Sequence, residues 1–217
     1  QMRAIVPIIM LALCAATAAL AQTANHVVIS EFATRGAAGN ASGEFVEIYN
    51  PTNAAVNISG WKLEYRSASG TSYNPLTAVP EGTVMPPKSY YLFVSATWAG
   101  TPAGDATWAS SGLADNGGLR ITTASGAAID RVGFGTGNDP EGSAAPNHGD
   151  AANDNSVERK ASASSTAASL AMGGAEEFAG NGWDSDNNAS DFVAQTGGRH
   201  PQNSTSGVEP LSADGSG

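Results

Sequence analysis

With 217 residues, 26 of them Gly and 11 Pro and only 14% charged, the chain can bury one modest core and wrap it in small-residue loops. A formal net charge of −10 with no basic cluster excludes nucleic acid as a partner, and it fits a solvated acidic surface. The single cysteine, Cys14, lies in the N-terminal apolar run, which removes disulfide and thiol chemistry from the body of the chain.

Arg3 precedes an apolar run from Ala4 to Leu20 that closes on Ala19-Leu20-Ala21 and gives way to Gln22-Thr23. That is the pattern of a secretory signal peptide, with cleavage expected after Ala21. The run is about 17 residues and Pro7 interrupts it, so it is short for a membrane span. Leu13 is too large for a lipidation site at Cys14. If the segment were retained, it would be the chain's contact with a membrane.

From Val27 onward the pattern is that of short strands. Ile29-Ser30-Glu31-Phe32 comes first, and Glu44 to Asn50 follows with apolar residues on both faces. Ile58 to Tyr65 sets Trp61, Leu63 and Tyr65 against Lys62, Glu64 and Arg66, the alternation of a half-buried strand. Ser89 to Ser95 is apolar on both faces and is expected to be central. Gly118-Leu119-Arg120-Ile121-Thr122 and Ile129 to Phe134 complete the set. Asn116-Gly117 and Ser125-Gly126 flank the fifth strand and predict consecutive hairpins. Many short strands with no helical period between them indicate a sandwich or barrel.

Gly135 to Asn155 is rich in Gly, Asp, Asn and Pro and is expected to be a surface loop. Ser156 to Lys160 is expected to return as a final strand. Ala161 to Gly174 has few apolar anchors and is read as a mobile loop, with a helix as the alternative. Trp183 to Val193 forms a second compact phrase. The chain after Gln202 is polar and expected to be disordered, with a flexible tail at 206–217. The expected division is a signal peptide at 1–21, one folded unit at 22–205 with its core in 26–160, and that tail.

The phrases Phe45-Val46-Glu47-Ile48-Tyr49-Asn50 and Ser59-Gly60-Trp61, set between Val27 and Phe134, resemble the lamin tail domain. Ser156 to Lys160 and Asp184 to Phe192 look like extensions seen in bacterial secreted members. The resemblance implies an all-β, immunoglobulin-like β-sandwich with long loops behind an N-terminal hydrophobic segment. It also implies a non-enzymatic role in binding, adhesion or display outside the cell, and no catalytic residues or required cofactor. A partner would be an extracellular protein or polysaccharide, or a second copy of the chain if the unit assembles into filaments. An accessory domain for a hydrolase is a further alternative.

Two groups of residues are candidates for a site. In Asp184-Ser185-Asp186-Asn187-Asn188, Asp184, Asp186 and Asn188 place oxygen ligands on alternate residues, as calcium loops do, and Asp191 adds a carboxylate. Ala189 and Gln195 stand where an EF-hand needs Gly and Glu, and the alternative is a turn capped by its own Asx side chains. Tyr73, Trp98 and Trp108 fall in loop-like stretches and are candidates for gripping a partner, or for pinning their own loops. Glu31 and Glu47 lie in apolar strands and are expected to be structural, paired with an arginine such as Arg131 or Arg159. Asp139, Glu141, Asp150 and Asp154 share a loop without ligand spacing. His26, His148 and His200 are far apart and are read as surface residues.

Overall fold

The computed structural model describes residues 23–36, 43–109, 112–148 and 154–210, so the expected signal peptide lies outside the described residues. In chain order the strands are β1 (Val28–Ala33), β2 (Phe45–Tyr49), β3 (Val56–Asn57), β4 (Lys62–Ser67), β5 (Asn74–Ala78) and β6 (Val84–Met85). Then come β7 (Tyr90–Ser95), β8 (Ala106–Trp108), β9 (Gly117–Thr122), β10 (Ala128–Phe134), β11 (Ser156–Arg159) and β12 (Phe192–Gln195). One-turn helices α1 (Ala167–Leu170) and α2 (Asn188–Asp191) separate the last two strands. A six-stranded sheet runs β12-β11-β1-β2-β7-β8, a four-stranded sheet β10-β9-β4-β5, and β3 pairs with β6. All pairings are antiparallel except β7 with β8.

The two larger sheets close on one core. Ile29, Phe32, Val46, Ile48, Tyr91, Phe93 and Val157 from the first meet Leu63, Leu119, Ile121, Val132 and Phe134 from the second. Phe32 and Phe134 sit 4.8 Å apart, ring to ring. In the sequence, Ile29 and Phe32 break strict alternation. The structure resolves this with a register shift between Ile29 and Glu31, a bulge that brings both apolar residues inward and leaves Ser30 and Glu31 to the other face.

The expected β9–β10 hairpin is present, with Thr123 donating to Ala127 O across its turn. The second expected hairpin is not, because β9 pairs with β4 on its other side, a partner the local turn signal does not encode. Ser156–Arg159 is a strand but not the last one, since β12 follows and pairs with it. The Ala/Ser-rich stretch holds a helical turn, α1, because Thr166 and Ser169 form a reciprocal capping box and Leu170 anchors it inward.

The polar stretch after Gln202 is another correction. Asn203 donates to Ala103 O at 2.9 Å, Ser204 N to Asp105 at 2.9 Å, and Tyr90 Oη to Glu209 at 2.7 Å. These bonds lay residues 198–210 as a strap over the outward face of the six-stranded sheet. Polar contacts, invisible to a reading of hydropathy, hold it there.

Candidate functional site

The strap covers three glutamates. Register places Glu31 directly opposite Glu158 on β11 and opposite Glu47 on β2, so the carboxylates form one row across three adjacent strands. Side chains directly opposite in a sheet lie about 4.5–5.5 Å apart at Cβ. All three residues are buried, with Glu31 3% and Glu47 1% exposed. Apolar clusters bound the row on both sides along the strands: Ala33, Phe45, Leu92 and Val94 toward one end, Val28, Tyr49 and Tyr90 toward the other.

Neutral donors serve this row. Ser30 Oγ donates to Glu47 at 2.5 Å, and the Gln202 backbone N–H donates to its other oxygen. Asn181 Nδ2 donates to Glu158 at 3.0 Å, and Gln195 Nε2 also donates to it. Glu31 Oε1 and His200 Nε2 are buried with no hydrogen-bond partner among the described residues. Burial, reinforced by Glu158, pushes the Glu31 carboxyl up to about 7. Burial and then Glu31 hold Glu47 well above the ordinary carboxylate range, and burial raises Glu158 as well.

The arginine expected to pair with Glu31 or Glu47 serves another acid. Arg159 shares the inward face of β11 with Val157, whereas the glutamates face outward. Its guanidinium donates to Asp130 Oδ2 at 2.9 Å, to Ile29 O at 2.7 Å and to Trp183 O at 3.0 Å. Asp130 also accepts from Ile29 N at 2.6 Å. This network joins β1 and β11 of one sheet to β10 of the other. Arg131 instead faces Glu141, at 4.0 Å.

The Asp184–Asp191 loop keeps its oxygens for itself and its neighbours. Asp184 Oδ1 lies 3.5 Å from Arg159, and its other oxygen faces His26 at 3.8 Å. Asn188 Oδ1 accepts from Gly133 N and Glu141 N, both at 2.9 Å. Asp191 accepts from Ser185 N and Oγ and from Asn187 N. Asp186 is left exposed at a positive φ of 55°. The four expected calcium ligands therefore do not converge, and among the described residues no group of three or more His, Cys, Asp or Glu is placed to hold a metal. The Asx-capped turn is what the geometry supports. The acidic loop is likewise drawn apart: Asp139 pairs with Arg66 and Asp154 with Arg199. Asp150 lies outside the described residues.

The three aromatics have different fates. Trp108 is 1% exposed and belongs to the core, because β8 docks in parallel beside β7 and turns the indole inward. That corrects its reading as a loop aromatic available to a partner. Trp98 is half-buried, donates from Nε1 to Pro102 O at 2.9 Å and packs on Phe45 and Arg199. Tyr73 is half-buried on the outward side of the four-stranded sheet, with its ring 4.2 Å from the Arg120 guanidinium and 5.7 Å from that of Arg66. His148 is a further correction. It is fully buried, and burial lowers its pKa.

Residues 21–136 match the family model described as Lamin Tail Domain. A comparison with curated proteins finds no match. The matched span contains β1 to β10, which make the second sheet and four strands of the first, while β11, β12 and the strap follow it. Since the match takes in just over half of the 217 residues and coincides with an immunoglobulin-like sandwich, the chain belongs to the lamin tail domain family.

Proposed function

We infer that this protein is an exported, non-catalytic module that binds an extracellular protein or polysaccharide through the outward face of its four-stranded sheet. The observation that carries this reading is the arrangement around Tyr73. The ring lies against two guanidinium groups, and each of these is tethered by a carboxylate: Arg120 to Glu64 at 2.6 Å and Arg66 to Asp139 at 3.2 Å. Rigid Tyr and Arg side chains on a solvent-facing sheet are the residue types that most often anchor recognition, because they present large area at low entropic cost.

Two further features support it. The N-terminal sequence pattern favours export. The carboxylates best suited to acid–base chemistry are sealed beneath the strap, which argues against turnover. The test is a binding screen against bacterial-surface polysaccharides and extracellular proteins, using wild type and Tyr73→Ala. The expected result is a ligand held by wild type and weakened about tenfold or more by the substitution, with melting temperature unchanged. Equal binding by both would move the interface to another face.

A further inference from the structure

We propose that residues 198–210 are a pH-governed latch, seated on the six-stranded sheet while the Glu31–Glu47–Glu158 row carries its protons and released as the row ionises. This concerns a face of the molecule separate from the Tyr73 surface and does not depend on the binding reading.

The geometry supplies both parts of the device. The row is three like groups abreast on β11, β1 and β2. Protonated, they are neutral and compatible with burial. Ionised, adjacent carboxylates repel across the sheet in a medium that screens poorly. Among the described residues none of the three forms an ion pair with Lys or Arg. The cover is fastened directly to the row, since Gln202 N–H donates to Glu47 and Gln202 Nε2 donates to Glu209. Glu209 in turn holds Tyr90 and, through its backbone carbonyl, Tyr49.

The charged and titratable groups facing the row come from every element around it. From the strap, His200 and Arg199 favour one ionised carboxylate at Glu31, and His200 acts on Glu158 and Glu209 too. From β7, Tyr90 lies near Glu47. Besides His200 and the neighbouring carboxyls of Glu31 and Glu47, Glu158 meets the amides of Gln195 and Asn181. These donors ease the first ionisation, while each further charge is opposed by the like charge beside it, so the row titrates as a coupled set.

The sign follows from linkage. Each of these carboxyls is held above its ordinary value of 4.5, so the seated form binds protons that a released form gives up. The strap's contribution is complete below about 4.5 and is lost as pH rises through about 7 at Glu31, with Glu47 also held well above the ordinary carboxylate range. Release would free Tyr49 and Tyr90 from Glu209 and expose apolar surface around their rings that would bind a hydrophobic dye.

The experiment is hydrogen exchange with mass spectrometry on the full chain between pH 5 and 9, corrected for intrinsic rates. Protection of peptides covering 198–210 is expected to fall by about tenfold per pH unit at its steepest, while β4 and β9 peptides stay protected. Glu31→Gln and Glu47→Gln, which remove the titrating proton but keep the shape, should flatten or displace that profile. Infrared spectroscopy provides a second check: a protonated-carboxyl stretch should be present at pH 6, weaken as pH rises, and be smaller in Glu31→Gln than in wild type, the difference separating the row from Glu44 and Glu141, which are raised as well. Strap protection independent of pH, an unchanged midpoint in a folded Gln variant, or no protonated-carboxyl band at pH 6 would each overturn the proposal.

Discussion

Arg159 shows how much one side chain can decide. It is fully buried, its three nitrogens reach Ile29 O, Trp183 O and Asp130, and its guanidinium lies 4.6 Å from the Phe192 ring. Asp130 is buried beside it, and burial raises that carboxyl while Arg159 pulls it down. Arg159→Ala would leave the acid uncompensated between the sheets. The expected loss is about 3–5 kcal/mol, read from denaturant midpoints at neutral pH. A loss under about 1 kcal/mol would mean that water or a shifted neighbour replaces the guanidinium. The sequence showed that buried acids in the strands would need partners, but not which partner. Strand parity decides that question: Arg159 points inward with Val157 and Glu158 points out. Parity becomes certain only once the bulge in β1 and the register of β11 are known.

At the level of elements, α2 is the clearest case of a motif whose meaning depended on distant chain. The spacing Asp184-Ser185-Asp186-Asn187-Asn188 fits the opening of a calcium loop, but Ala189 and Gln195 favour an Asx turn. Asn188 is placed by partners 55 and 47 residues away, Gly133 and Glu141, so nothing local could identify its role. Its side chain also donates to Arg131 O, at 3.3 Å. Together with the Phe134–Ala145 bridge, it occupies the outer edge of β10. Asn188→Ala should strand the Gly133 and Glu141 amides, costing about 1–3 kcal/mol. Exchange at those amides should quicken while β4 stays slow. Unchanged exchange at Gly133 would show that the loop does not guard the edge.

Among the described residues, the outer strands of the two larger sheets carry features that hinder further pairing. β10 is capped as described. β5 carries Pro75, which cannot donate to a further strand, and Thr77 Oγ1 bonds across to Thr107 O of β8 at 3.1 Å. Gln195 of β12 reaches Ala167 O of α1 at 3.0 Å. These are the devices by which sheets avoid pairing with copies of themselves. Six strands of the matched region, β1, β2, β4, β7, β9 and β10, were legible because alternation and turn residues are local signals, whereas β3, β5, β6 and β8 were not, since they are short or set in stretches read as loop. The strap was not, because Asn203, Ser204 and Glu209 are held by polar bonds to chain about 100 residues away, and hydropathy assigns such residues to solvent.

That closure bears most directly on the choice between a solitary binding module and a protomer of filaments. The decisive measurement is the mass of the protein by light scattering on a sizing column, with electron microscopy of any excluded material. The account predicts a single species with the mass of one chain cleaved near Ala21 and no fibres. Concentration-dependent oligomers or filaments would contradict it and would show that at least one of these edges opens to pair with another copy.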